Sequence, residues 1–230
     1  MNIFAFICTR SKNFSDTTKN LSSYLSRAGV KTKFLVGQKS IFDGYSSAFE
    51  KFEISDDDIV IMCHDDIQIL TDPELFTRII VESLFDKEVG FIGVAGTTHL
   101  SENAVWWDQN VWRQGKHRGH VYHGDDILKA QGTYYGACGR VVCMDGLFLA
   151  AKGSTLKDVG LNKPKYFEGD WDFYDIHYTV SAHLKKYKNK VIPVSILHNS
   201  HGELVGRDSW HKNREAFISK TPLPLALKVS

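Results

Sequence analysis

The sequence predicts an α/β fold around a Rossmann-like, mostly parallel central sheet flanked by helices, and three observations predict it. Across residues 1–100, short apolar runs of strand length alternate with segments of helical period. Those runs are apolar throughout, as strands buried on both faces of a parallel sheet are, instead of alternating apolar and polar. Cap and stop residues bound the first of those helical segments.

The elements follow in order. NIFAFIC at 2–8 reads as the first strand. Ser15 and Asp16 supply an N-cap and a first-turn acid, Leu21, Tyr24, Leu25 and Ala28 recur at helical spacing, and Gly29 stops that helix. KTKFLVG gives a second strand, DGYSSAFEKF a short helix, DIVIMC a third strand, DPELFTRIIVESLF a longer helix and VGFIGVAG a further strand. Parallel neighbours joined this way need helical crossovers, which places helices on both faces. From Thr97 the pattern breaks, because THLSENAVWWDQNVWRQGKHRGHVYHGDD has no steady period. An irregular stretch of that length is more often functional than decorative. RVVCMDGLFLAAKG then reads as strand, turn and strand, WDFYDIHYTVSAHLKKYK as an amphipathic helix, KVIPVSIL as a last buried strand and SWHKNREAFISK as a surface helix. No repeat or clear linker divides the chain, so residues 1–230 are expected to form one domain.

Composition narrows the class. The chain has 230 residues, 43% of them hydrophobic and 24% charged, which suits a globular protein with a sizeable core. A formal net charge of +1 gives no global field toward nucleic acid or an acidic membrane, so no nucleic-acid partner is expected. Cys8, Cys63, Cys138 and Cys143 lack the spacing of a zinc site or disulfide scaffold and read as reduced thiols. The opening MNIFAFICTR is too short in its apolar run for a signal peptide, and no stretch is long enough to span a membrane. The expected location is cytoplasmic.

In open α/β sheets ligands bind outside the carboxyl ends of the strands. The third strand ends in His64-Asp65-Asp66, the first in Thr9-Arg10-Ser11-Lys12 and the last in His198-Asn199-Ser200-His201. Adjacent acids leaving a strand point in different directions, so one can meet a metal while the other takes a ribose hydroxyl or backbone donors. Carboxylate oxygens suit Mg²⁺ or Mn²⁺, and an imidazole from His198 tilts the set toward Mn²⁺. The plain alternative is a turn capped by both acids; the apolar IQIL that follows at once argues against an edge turn. Trp106, Trp107 and Trp112 fall in the irregular stretch and Trp171 precedes a helix. Aromatic faces suit the apolar faces of sugar rings, and packing in the core is the competing use. Lys116, His117 and Arg118 offer cations to a diphosphate from the same stretch.

HDDIQIL resembles the His-Asp-Asp form of the DxD region in GT-A nucleotide-sugar glycosyltransferases. GFIGVAGTTHL, WWDQNVW, VVCMDGLFLAAKG, DFYDIHY and ILHNSHG follow in the order found in a family-2-like group that includes streptomycin-biosynthesis-type proteins. The resemblance spans roughly residues 59–220. It implies a GT-A fold with a smaller mixed region on the acceptor side, residues 1–100 being the nucleotide-binding half and 101–230 the acceptor and catalytic half. It implies transfer of a sugar from a UDP-, GDP- or dTDP-linked donor to a hydroxyl of a carbohydrate or glycoconjugate, with inversion, dependent on Mn²⁺ or Mg²⁺. Asp66 falls at the metal-facing acid, Asp65 and His64 on the donor side, and His198 at the histidine that completes the metal site. Thr9, Arg10 and Lys12 fall where base and ribose are held, and Asp145 and Gly146 beside the donor sugar. Asp175 falls at the catalytic base with Asp172 as its rival, and Tyr174 stands where Glu is usual, on the acceptor side with the tryptophans. A place at a helix N-terminus is expected to lower the pKa of Asp175. Two other readings stay open: a metal-dependent phosphoesterase using Asp65, Asp66, His198 and His201, and a non-catalytic domain that binds a nucleotide sugar or glycan.

Overall fold

The computed structural model describes residues 1–10, 12–200 and 207–227. Its first part runs β1 (Ile3–Thr9), α1 (Asp16–Arg27), β2 (Lys31–Val36), α2 (Ile41–Lys51), β3 (Ile59–Cys63), β4 (Ile67–Ile69), α3 (Pro73–Ser83) and β5 (Val89–Gly93). The middle holds β6 (Ala95–Thr97), β7 (His99–Leu100), α4 (Gln109–Arg113), β8 (His117–His123), β9 (Gln131–Gly136), β10 (Gly139–Val141), β11 (Cys143–Met144), β12 (Phe148–Lys152) and α5 (Gly153–Val159). The chain continues through α6 (Tyr174–Leu184), β13 (Lys188–Val191), β14 (Ile196–His198), α7 (Asp208–Ile218) and β15 (Leu225–Ala226).

Local chemistry accounts for the helices predicted in the first half. Ser15 Oγ accepts from the Thr18 amide to cap α1, Ser40 does the same for α2 through Asp43, and Asp72 caps α3 with Pro73 at the first turn. The central sheet has seven strands in the order β10-β13-β5-β12-β3-β1-β2. β1 pairs in parallel with β2 and β3, and β5 with β13, whereas β12 runs antiparallel between β3 and β5 and β10 antiparallel to β13. The sheet is therefore mixed, with five of its seven strands in one direction, because the Asp145-Gly146 turn reverses the chain before β12. Crossovers β1-α1-β2 and β2-α2-β3 run in opposite directions across the sheet, which puts α1 and α2 on opposite faces when both are right-handed. α1 packs with α3, while α2 meets α6 through the edge contact of Phe42 with Tyr178.

A second, six-stranded sheet was not foreseen. Its order is β11-β6-β8-β14-β4, with β9 also paired to β8. The stretch from Thr97 that looked irregular supplies α4 and β8, whose register with β9 shifts between Gly119 and His120. Glycines and a register shift hide a period of two from sequence. KVIPVSIL, expected as one strand, is two: β13 in the large sheet and β14 in the small one, with Pro193 between them. Proline has no amide proton for a ladder, so the strand breaks there and changes sheet. The expected surface helix α7 instead buries Trp210, Asn213 and Phe217.

One buried polar residue ties these layers together. Asn189 on β13 is fully buried; its Oδ1 accepts from the Phe91 amide at 3.1 Å, and its Nδ2 donates to the carbonyls of Val142 at 2.9 Å and Thr179 at 2.7 Å. Asn189→Leu takes a partner from each of three buried backbone groups, at about 1–3 kcal/mol for a group left unpaired. Urea unfolding should show a loss of about 3 kcal/mol or more, and a loss under ~1 kcal/mol would mean that water or repacking replaces the amide.

Candidate active site

Four times the chain leaves the large sheet and enters the small one within a few residues: β3 to β4, β5 to β6, β10 to β11 and β13 to β14. Between β3 and β4 lies His64-Asp65-Asp66. Its backbone is held at each position: the His64 amide donates to Leu147 O at 3.1 Å, Asp65 O accepts from Thr18 Oγ1 at 3.1 Å, and Asp66 O accepts from the Asn199 amide at 2.8 Å. β14 runs antiparallel to β4 with His198 opposite Ile67, which delivers the imidazole to Asp66. Asp66 Oδ1 lies 3.4 Å from His198 Nε2 and 3.7 Å from His64 Nδ1.

His64, Asp66 and His198 are the group among the described residues able to hold a metal ion, with one ligand atom from each and all three within 4.8 Å of one another. The donor atoms fit such an ion: Asp66 Oδ1 is buried with no hydrogen-bond partner, an arrangement that is costly unless something else satisfies it. Burial pushes the Asp66 carboxyl up, but His198 and His64 beside it outweigh burial and hold it below the usual carboxylate range. Burial pushes the His64 imidazole down, against the pull of Asp66, so the ring favours its neutral form. Neutral imidazoles and an ionised carboxylate are the forms that ligate metals.

A cleft of about 550 Å³ opens over this cluster. Thr9, Arg10, Asp65, Asp145, Gly146, Trp106, Trp107, Trp171, Asp172, Tyr174 and Asp175 line it together with the His64, Asp66 and His198 group. Lys12 and Trp112 are not among its lining residues; Lys12 is exposed, and Trp112 packs near His117 and Tyr135. His117 is fully buried in β8 with Nε2 against Trp106 O, so it is no part of a diphosphate-binding loop. Trp106 is 3% exposed and belongs to the core, while Trp107 is half-buried against Trp210. His201 and Ser11 lie outside the described residues.

At the N-terminus of α6 the residues divide their work. Asp172 is buried, accepts from Ser209 Oγ at 2.6 Å and lies 3.9 Å from Arg207, so it anchors the start of α7. Asn213 reinforces that joint through Gly169 and the Asp172 carbonyl. Phe173 has φ +70°, a left-handed backbone that is rare for a bulky side chain, and its ring is packed on Phe167, Trp210 and Phe217. Asp175 Oδ2 accepts from the Gly146 amide at 2.8 Å. Contrary to expectation, the pKa of Asp175 is raised, to about 7, because burial and then the nearby Asp145 outweigh the amides of the helix start. Tyr174 is buried: its hydroxyl donates to Gly146 O at 3.0 Å and lies 3.3 Å from His64 Nε2.

Sequence reasoning missed Arg207 and Trp210, both of which line the cleft. A tryptophan in a segment otherwise polar enough for a surface helix was the available signal.

The chain belongs to a glycosyltransferase-like family, whose model matches residues 7–220. No curated protein matches it significantly. Among solved structures it is similar to A197 from STIV, with a TM-score of 0.54 and 13% identity over 87% of this chain and 86% of that one. It is also similar to GalNAc-T7, solved with UDP, GalNAc and Mn²⁺, with a TM-score of 0.52 and 11% identity over 86% of this chain and 44% of that one. The fold is of the GT-A class, and the protein is a glycosyltransferase. Among the described residues, no helix is long and apolar enough to cross a membrane.

Gly146 is where the site tolerates no side chain, since an added Cβ would sit 2.3 Å from Tyr174 Oη and 3.0 Å from Asp175 Cβ. Gly146→Ala should lower stability by about 1–3 kcal/mol, the usual cost of overpacking. For a chain of this size that is a melting-midpoint drop of roughly 2–10 °C. An unchanged midpoint would show that Tyr174 retreats freely.

Proposed function

We propose that this glycosyltransferase moves a sugar from a nucleotide-diphosphate donor to a hydroxyl of a carbohydrate or glycoconjugate acceptor, with inversion, and that it depends on a divalent cation. The observation that carries this reading is the meeting of two kinds of group in one cleft. His64, Asp66 and His198 offer three clustered ligands, and Asp175 offers a carboxylate with a pKa of about 7.

His64, Asp66 and His198 would hold the cation, and a set with two nitrogens favours Mn²⁺ over Mg²⁺. When bound, the cation supplies charge neutralisation to the departing diphosphate. Thr9, Arg10 and Asp65, at the carboxyl ends of β1 and β3, take the nucleoside side of the donor, and Asp145 with Gly146 borders its sugar. Trp107 and Trp171 offer aromatic faces to sugar rings on the acceptor side, with Trp210 packed behind Trp107. Asp175 takes the proton of the acceptor hydroxyl as that oxygen bonds to the anomeric carbon, and the bond from that carbon to the diphosphate oxygen breaks with its electron pair. A base with a pKa near the working pH is suited to this transfer. Asp172 is not needed as a base, because Ser209 and Arg207 already occupy it. The resemblance to the streptomycin-biosynthesis-type group belongs to this reading as well.

The test is a panel of UDP-, GDP- and dTDP-sugars with Mn²⁺, followed for binding and for nucleotide release with and without acceptor. Asp66→Asn should abolish cation-dependent donor turnover. Hydrolysis of simple phosphate esters would favour a phosphoesterase instead, and donor binding without turnover alongside a matched acceptor would favour a binding domain.

The pKa of Asp175 makes two predictions with opposite signs. Transfer requires the ionised carboxylate, so the rate should rise about tenfold per pH unit below pH 7 and level off above it. Asp175→Asn should lower transfer by about 10²-fold or more while sparing donor binding. Stability runs the other way. A folded pKa raised from 3.8 to about 7 means that the folded state holds the proton more tightly, so stability falls as pH rises from 4 to 7. Asp175→Asn should remove that decline in melts recorded across the same range, and a flat rate profile in the wild type would sink the base assignment.

A further inference from the structure

The resemblance puts Tyr174 on the acceptor side, but its hydroxyl points elsewhere. It is buried and touches two groups: the carbonyl of Gly146 at 3.0 Å and Nε2 of His64 at 3.3 Å. A carbonyl only accepts, so the single hydroxyl proton is committed to Gly146 O. The contact with His64 is then a hydrogen bond only if Nε2 carries the proton and donates to the tyrosine oxygen. A neutral imidazole has one proton to place. With it on Nε2, Nδ1 is left with a lone pair, and Nδ1 is the nitrogen that faces Asp66 Oδ1 at 3.7 Å.

We propose that Tyr174 is a positioning residue that fixes His64 in its Nε2–H tautomer and so makes Nδ1 the third ligand atom for a divalent cation beside Asp66 and His198. Hydrogen bonds to the far nitrogen of a ligating histidine set its tautomer and ring orientation. The packing leaves little freedom to undo this. Tyr174 stacks edge-on with Tyr45 and lies near Tyr178, and its oxygen occupies the space that a side chain on Gly146 would fill. One residue thereby serves both sides of the site, because the amide of Gly146 donates to Asp175 at 2.8 Å while its carbonyl accepts from Tyr174. A glutamate at this position, ionised, has no proton to give Gly146 O, so Tyr and Glu are not equivalent here.

The inference rests on the proposed cation site, and the experiment separates the two. Long-range ¹H–¹⁵N spectra of histidine-labelled, metal-free protein report the tautomer of each ring. His64 should be Nε2–H in the wild type and a mixture of tautomers in Tyr174→Phe. Titration with Mn²⁺, followed by calorimetry and by nitrogen couplings in electron spin-echo spectra, should show affinity about 10- to 100-fold weaker in the variant and one imidazole coupling lost or reduced. A wild-type His64 in the Nδ1–H form overturns the proposal whether or not the variant folds. Equal affinity and equal couplings in a folded Tyr174→Phe overturn it while leaving the cation site intact, and a wild type that binds no Mn²⁺ overturns both.

Discussion

The passage of strands from one sheet to another is the constraint on which the rest of the site depends. A strand cannot bend sharply and keep its ladder, so each crossing leaves at least one residue outside both ladders, Val94 or Val142 alone at two of them and three residues between β3 and β4. At the crossing between β3 and β4 those residues are His64, Asp65 and Asp66, and at the end of β14 comes His198. The pairing of His198 with Ile67 is what joins them. Strand register works in steps that turn a side chain to the opposite face, so a slip of one residue there would point the imidazole away from Asp66. The proline that breaks KVIPVSIL is therefore part of the site's construction, since the break lies between β13 in the large sheet and β14 in the small one.

The second constraint is the turn at Asp145-Gly146. Asp145 Oδ1 accepts from the Leu147 amide at 2.7 Å, and the Asp145 amide donates to Ala95 O at 3.0 Å. That turn reverses the chain so that β12 can insert antiparallel between β3 and β5, and it presents the Gly146 peptide to α6. Fold and chemistry meet in a single residue without a side chain. The plain reading of Asp-Gly as a turn holds, and the same turn brings both residues to the wall of the cleft.

The sequence was legible where order is local. Apolar runs, the serine cap at Ser15 and helical spacing located β1, β2, β3 and β5 and the helices between them, because those signals act within a few residues, although VGFIGVAG, expected as one strand, divides into β5 and β6. The carboxyl-edge rule picked out His64, Asp65, Asp66 and His198, which the fold does bring together. What stayed hidden is non-local. β8 was lost in a stretch full of glycine and charge, and α7 looked like a surface helix because its buried Trp210, Asn213 and Phe217 are spaced among polar residues. The pKa of Asp175 was expected in the wrong direction, since the helix start was visible in the sequence while the burial and the approach of Asp145 were not. The hydroxyl of Tyr174 belongs to the same class, because its two partners are Gly146 and His64.

The left-handed turn at Phe173 has a consequence for the order in which the molecule comes apart. Holding a bulky residue at φ +70° costs on the order of 1–3 kcal/mol, and that conformation persists only while its surroundings impose it. Those surroundings include Trp210 and Phe217 of α7, with Asn213 and Ser209 clamping the residue before. Undocking of α7 therefore releases stored strain and frees the backbone that carries Tyr174 and Asp175, while the sheets need not open at all. Competence is thus the more fragile property: a molecule can lose its working geometry by a sub-global opening and still be folded by every measure of its core.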